Sequence, residues 1–219
     1  MKRFYTKGVI EAGCDEAGRG SLAGPVVAAA VVLPANLGLF ENLLLELNDS
    51  KQLTERKREQ LRPLILDCAL AYGIGSCSAL EIDSLNILNA SFLAMHRALD
   101  QVAKMLQKRR PKRLIEYIIV DGNRFLPYHD TLTSKKDRLV PHRCIVKGDA
   151  LYASIAAASI LAKTERDHIM TALAKECPQY KWESTKGYPT KAHREAIEKF
   201  GPSEYHRMSY ALLPELTLF

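Results

Sequence analysis

Eight consecutive apolar residues, 26–33, lie between Pro25 and Pro34. A run of that length without polar alternation reads as a strand covered on both faces, with a short helix as the alternative. A strand with two apolar faces needs packed layers above and below it. The chain has to place other elements on both sides of a sheet, which points to an α/β architecture. With 219 residues, 47% of them apolar, it can build one core of generous size. The same run is too short to span a bilayer. Met1-Lys2-Arg3 is not followed by a long apolar stretch, so no signal peptide is expected.

The remaining elements follow from periodicity. Residues 9–15 form a plausible strand that runs into Asp15 and Glu16. Thr54 is a fair N-cap for a helix over 55–66, which Pro63 should end or kink. Alternating Leu70, Tyr72 and Ile74 mark a strand within 68–78. Leu85, Leu88, Phe92, Met95, Leu99, Val102 and Leu106 recur in steps of three and four. They predict a long helix capped by Asp83 or Ser84, its stripe packed in a core. Residues 114–120 form a strand ending at Asp121-Gly122-Asn123, and 124–141 are irregular. A short strand over 143–147 ends at Gly148-Asp149. An Ala/Ile/Leu-rich helix over 150–163 continues in polar form to 175. The last helix, Lys191–Phe200, stops at Gly201-Pro202. The expected organisation is one domain over 1–219 with a mixed sheet and flanking helices, residues 178–219 forming a helical extension.

The chemistry gathers where strands end. Ala12-Gly13-Cys14-Asp15-Glu16-Ala17-Gly18-Arg19-Gly20 places two adjacent carboxylates before a glycine-arginine-glycine turn. Adjacent carboxylates repel unless water, a basic side chain or a cation intervenes. The glycines let backbone approach a ligand, and Arg19 supplies a planar cationic fork suited to phosphate. A solvated turn is the bland alternative. Asp121-Gly122 is also a common turn, and Asp149 is also a good helix N-cap. The sharper reading rests on coincidence. If the three strands are neighbours, four acidic groups converge, and an all-oxygen donor set selects Mg²⁺ or Mn²⁺. Two such ions stabilise the attacking and leaving oxygens of a phosphodiester.

Thirty-one basic against twenty-five acidic residues leave a formal charge of +6, which modestly favours an anionic partner such as nucleic acid. Five scattered cysteines with no C-x-x-C spacing form neither a disulfide framework nor a zinc signature. They read as small buried residues in a reducing compartment, so a cytosolic location is expected. The six histidines show no triad pattern. His96 falls in the long helix, and His129, His142, His168, His193 and His206 read as loop or surface residues. Lys135 and Lys136 read as a solvated loop.

Six segments occur in order: Asp15-Glu16-Ala17-Gly18-Arg19-Gly20, Asn48-Asp49-Ser50-Lys51-Gln52-Leu53, Asp121-Gly122-Asn123-Arg124, Lys147-Gly148-Asp149, Ala156-Ala157-Ala158-Ser159-Ile160-Leu161-Ala162-Lys163 and Lys186-Gly187-Tyr188-Pro189-Thr190. The series spans nearly the whole chain and resembles that of bacterial ribonuclease HII, the type 2 ribonuclease H. The resemblance implies a ribonuclease H-like fold, a five-stranded mixed sheet flanked by helices with a helical C-terminal part. It implies an endoribonuclease that hydrolyses the RNA strand of RNA–DNA hybrids. It further implies incision 5′ to single ribonucleotides in duplex DNA, leaving 3′-hydroxyl and 5′-phosphate ends, with Mg²⁺ or Mn²⁺ as a two-ion cofactor.

Residue by residue, the resemblance makes Asp15, Glu16 and Asp121 metal ligands and Asp149 a fourth catalytic acid. Gly18, Arg19 and Gly20 match a turn that reads the ribose 2′-hydroxyl. Tyr188 matches a tyrosine that packs on the neighbouring deoxyribose. Lys51 and Lys163 lie in matching motifs with phosphate-contacting or structural roles. The implied partners are hybrid and ribonucleotide-containing duplex, with no membrane and a monomeric state, in replication and ribonucleotide excision repair. Cys14 departs from the β-branched residue expected there, and the 124–141 loop is longer than expected. Two other readings compete. One is a catalytically silent nucleic-acid-binding protein, which needs no divalent ion. The other is a different enzyme of the fold, such as a Holliday-junction resolvase or type 1 ribonuclease H, which the Gly-Arg-Gly turn does not support.

Overall fold

The computed structural model describes residues 1–36, 38, 41, 42, 46, 47, 53–109, 113–131 and 137–213. Lys51 and most of its motif, and Lys135 and Lys136, lie outside the described residues.

Five strands form the central sheet: β1 (Glu11–Ala17), β2 (Val26–Val32), β3 (Ala71–Cys77), β4 (Tyr117–Asp121) and β7 (His142–Ile145). Their order is β3-β2-β1-β4-β7. β1 pairs antiparallel with β2, and β2 with β3, whereas β1–β4 and β4–β7 are parallel. The sheet is mixed, as expected, and β2 is the doubly covered strand. Val26, Ala28, Ala30 and Val32 face one core, and Ala29 and Val31 face the other.

Two long helices supply those layers. α3 (Ile87–Arg109) covers the first face with Met95, Leu99, Val102 and Leu106. α5 (Ala153–Glu176) covers the second with an alanine-rich start, and α1 (Glu55–Cys68) packs outside it through Leu61 and Ile65. β3 meets α3 through its glycines. A Cβ on Gly73 would lie 2.1 Å from the Ala98 carbonyl oxygen, and one on Gly75 2.3 Å from that of Ala94. The alternation that marked this strand therefore points Tyr72 and Ile74 away from α3, toward the second core.

Several boundaries move for identifiable reasons. Pro63 does not end α1, which continues to Cys68 with Pro63 on its exposed side. The long helix starts later than expected. Ser78 caps a separate α2 (Ala79–Leu85), and Asn86, at φ 64°, caps α3 by accepting from the N–H groups of Leu88 and Asn89. Asp83 instead holds the C-terminal segment by accepting from the Met208 and Ser209 N–H groups. Asn86→Ala should cost about 1–2 kcal/mol, since it removes a cap and leaves alanine in a left-handed conformation. A lowered urea midpoint with unchanged cleavage is the expected result.

The irregular stretch 124–141 holds a small hairpin, β5 (Tyr128–Asp130) with β6 (Arg138–Val140), anchored by Tyr128 donating to Asp100 at 2.8 Å. Past α5, α6 (Trp182–Thr185) and α7 (Lys191–Phe200) surround a third cluster that includes Leu22, Ala23, Met170, Tyr180 and Ile197. No described helix is long and apolar enough to cross a membrane.

Candidate active site

The sheet brings three acidic strand ends together. Cys14 pairs with Val120, so Asp15 and Asp121 follow at the same level on parallel neighbours. Asp121 pairs with Ile145 of β7, after which the chain turns into α4 (Gly148–Leu151). The Gly148 N–H donates to Asp121 Oδ1 at 2.6 Å, which places the first residue of α4, the one before Asp149, against Asp121. Asp149 is buried within the first turn of α4 and is not the N-cap of α5; Tyr152 occupies that position without a side-chain bond. The capping role read from the sequence is overturned because a four-residue helix intervenes.

Alternation along β1 sends Asp15 toward α5, where Ser159 bonds it, and Glu16 toward α3. Burial pushes the Asp15 carboxyl well above the usual carboxylate range, and the charges of Glu16 and Asp121 push it further. Burial also raises Glu16, against the pull of Arg19, whose Nη1 lies 3.2 Å from Glu16 Oε1. Buried, mutually repelling oxygen ligands are stabilised by a hard divalent cation, and the donor set fits one. Among the described residues no three such side chains are already gathered as an ion cage. Each is engaged elsewhere: Asp15 by the Glu16 N–H at 2.7 Å, Glu16 by Arg19, Asp121 by Gly148. Mg²⁺ does not require a closed protein cage, since it uses one or two carboxylates and completes its shell with water and phosphate oxygens. A cleft of about 290 Å³ opens here, with Glu16, Arg19, Asp121, Asn123 and Arg124 on its polar side and Phe92 and Met95 as floor.

The Gly18-Arg19-Gly20 turn is held from beneath by two buried arginines. Arg207 Nη1 donates to the Arg19 carbonyl at 3.0 Å, and its Nε and Nη2 donate to that of Gly24. Arg166 donates to the carbonyls of Pro25, Ala23 and Lys186 at 3.1, 3.2 and 2.9 Å. Its guanidinium carbon lies 5.3 Å from the centre of the Tyr188 ring. Arg166 therefore joins the segment just after the turn to the loop that carries Tyr188, which is 42% exposed, and its side chain also packs against Gly18. Lys163, Lys186 and Tyr188 line a second groove on that side. Sequence reasoning missed Arg166 and Arg207. Each is a lone arginine in polar surroundings, and only the fold shows that it points inward.

His193 and His206, read from the sequence as loop or surface residues, are both buried: His193 lies in α7 and His206 in the loop that follows it. Burial, then neighbouring His193, pushes the His206 pKa down to about 4. The unfolded chain then takes up a proton near pH 6.5 that the folded chain refuses until about pH 4. The stability concerned is complete above pH 6.5 and is lost as pH falls toward 4. Across that window wild type should lose about 2–3 kcal/mol more than His206→Gln, measured from urea midpoints.

A profile of the family described as Ribonuclease HII matches residues 12–213. The Ribonuclease HII of Parabacteroides distasonis is 56% identical, covering 98% of this chain and 97% of its own. This chain belongs to the ribonuclease HII family. The crystal structure of the ribonuclease H2 from Pyrococcus horikoshii has a TM-score of 0.69 at 25% identity, covering 92% of this chain and 94% of that one. A Bst ribonuclease HIII solved in complex with Mn²⁺ shares the fold, with a TM-score of 0.69 at 20% identity, over 93% of this chain and 68% of that one. The ribonuclease H-like fold expected from the sequence is thus present. As a member of this family, the protein is a nuclease of the hydrolase class that acts on RNA–DNA hybrids, so the reading as a silent binding protein falls away.

Proposed function

We propose that this member of the ribonuclease HII family, besides cutting the RNA strand of hybrids, incises duplex DNA 5′ to a single embedded ribonucleotide. The products carry 3′-hydroxyl and 5′-phosphate ends. One observation carries the reading: a glycine-flanked backbone turn stands next to buried, repelling carboxylates, and Arg166, packed against Gly18 of that turn, also lies against an exposed tyrosine. The 2′-hydroxyl is what separates RNA from DNA at one nucleotide. A site built to bond that hydroxyl leaves polar groups unpaired on pure DNA, which discriminates strongly.

Asp15, Glu16 and Asp121 would hold divalent cations, Mg²⁺ or Mn²⁺, and Asp149 acts beside them. Once bound, such cations supply charge neutralisation at the scissile phosphate and an activated water, two ions serving when substrate is present. The chain's own residues do the rest. The backbone of Gly18 and Gly20 approaches the ribose 2′-hydroxyl. Arg19 leaves Glu16 for the phosphate, where its fork suits two oxygens. Tyr188 lays its ring on the adjacent deoxyribose. Lys51 has a phosphate-contacting or structural role. Residues 1–219 act as one catalytic domain with 178–219 as an extension, in ribonucleotide removal during replication and repair.

The test is a labelled duplex with one ribonucleotide, incubated with Mg²⁺, with Mn²⁺ or with chelator, and the product ends mapped. Cleavage on the 5′ side of the ribonucleotide, abolished by chelator, is expected. Intact duplex under conditions where uniform hybrid is cut would overturn the proposal.

A further inference from the structure

We propose that the buried His193–His206 pair is a positioning device that fixes Tyr188 relative to the Gly18–Gly20 turn, and so sets the preference for a single-ribonucleotide junction. This rests on the reading of Tyr188 and the turn given above.

The proton arrangement in the pair is determined by its partners. The Tyr188 carbonyl can only accept, so His193 Nδ1, 3.0 Å away, carries the hydrogen. Trp182 Nε1 can only donate, so His193 Nε2, 2.9 Å away, is bare. The Ser203 N–H likewise donates to His206 Nδ1 at 2.9 Å. His206 then carries its hydrogen on Nε2, which lies 3.1 Å from the bare nitrogen of His193. Both rings are neutral, and each is restricted to one tautomer. Tyr180 fixes the ring planes, stacking on Trp182 at 5.0 Å and meeting His206 edge-on at 4.7 Å.

The two ends of this chain of bonds reach the two halves of the proposed reader. At one end, His193 and the Thr190 N–H together hold the Tyr188 carbonyl, at 3.0 and 2.8 Å. At the other, the backbone of His206 bridges Ala23. Gly24 donates to the Tyr205 carbonyl at 2.9 Å and Arg207 to that of Leu22 at 2.8 Å. The segment 205–207 is thereby paired with 22–24, which follows the turn directly. Leu22 N–H also donates to the Gly187 carbonyl at 2.8 Å, one residue before Tyr188. A shift of either histidine moves the tyrosine against the turn.

The readout is a selectivity: kcat/KM on a one-ribonucleotide duplex divided by kcat/KM on a uniform hybrid. His193→Phe keeps the ring and removes the donor. Selectivity should fall about fivefold, the equivalent of one typical net hydrogen bond. His193→Asn can place an amide N–H where Nδ1–H stood and should recover most of that loss, whereas His193→Gln should not. This Asn–Gln contrast stands even if the Phe variant does not fold. Trp182→Phe removes a core hydrogen bond but leaves the donor to Tyr188, so it should lower the melting temperature without altering selectivity. Tyr188→Ala separates the two levels. If it leaves selectivity unchanged, the reading of Tyr188 fails and the inference with it. If it lowers selectivity but His193→Phe lowers it by the same further factor in the Tyr188→Ala background, the reading stands and the positioning role is overturned. The expected result is no further loss in the double variant. A His193→Phe loss shared equally by both substrates would likewise reduce the pair to a fold-stabilising role.

Discussion

Asp15→Asn and Asp121→Asn are each expected to abolish cleavage while leaving hybrid binding in place. Either change removes a carboxylate charge that, in the proposed role, would hold a divalent cation at the scissile phosphate. Such a cation contributes several kcal/mol to transition-state stabilisation, so a fall of at least ~10³-fold in kcat is expected. The fold should survive, because both asparagines keep an acceptor oxygen for the existing bonds from Glu16 N–H and Gly148 N–H. For Asp15→Asn the metal-free protein should also melt higher. Burial and the charges of Glu16 and Asp121 disfavour the ionised carboxylate, and the amide removes that repulsion. Single-turnover kinetics in Mg²⁺ with a parallel melting curve checks both parts. A rate within about tenfold of wild type would remove Asp15 from the metal-binding set.

Gly18→Ala is expected to have the second large effect, and here packing is the cause. Gly18 has φ +92°, and an added Cβ would lie 2.0 Å from Arg166 Nε and 2.5 Å from its Cδ. The conformation costs an L-residue about 1–2 kcal/mol, and overpacking typically costs a further 1–3. Arg166 cannot simply yield, since it holds three carbonyls and lies against the Tyr188 ring. The turn and the tyrosine move apart, and misplacement on the scale of an ångström can cost about 10²-fold in rate. Cleavage beside a single ribonucleotide should therefore fall by about that factor, together with the urea midpoint. Gly20→Ala is the contrasting case. Nothing lies within 4 Å of its Cβ position, so the midpoint should stay at the wild-type value. Equal destabilisation by both substitutions would remove the packing argument.

Much of the fold was legible because it depends on local pattern. The apolar run between Pro25 and Pro34 marked β2, and the three-and-four spacing from Leu88 to Leu106 marked α3. Those signals are large relative to the alternatives, since burial of a whole face outweighs any one residue. The misreadings occurred where one residue's preference competed with a contact remote in sequence. Asp83 is a good cap by type, yet it is used by Met208 and Ser209. Asp149 is a good cap by type as well, but here the departure is local: it lies inside the short α4, whose N-cap is Lys147. The hairpin in 124–141 was hidden because three-residue strands carry almost no periodicity.

The acidic strand ends, the Gly-Arg-Gly turn and the tyrosine loop are written in the chain itself, because each is a chemical type at a short fixed spacing. Their being neighbours is not. That required the order β2-β1-β4-β7, which aligns Asp15 with Asp121 across parallel strands. The inward course of Arg166, Arg207, His193 and His206 was decided by tertiary structure alone. A polar side chain has the same letter in water and in a core, and only surrounding carbonyls and rings determine which environment it can occupy without losing its hydrogen bonds.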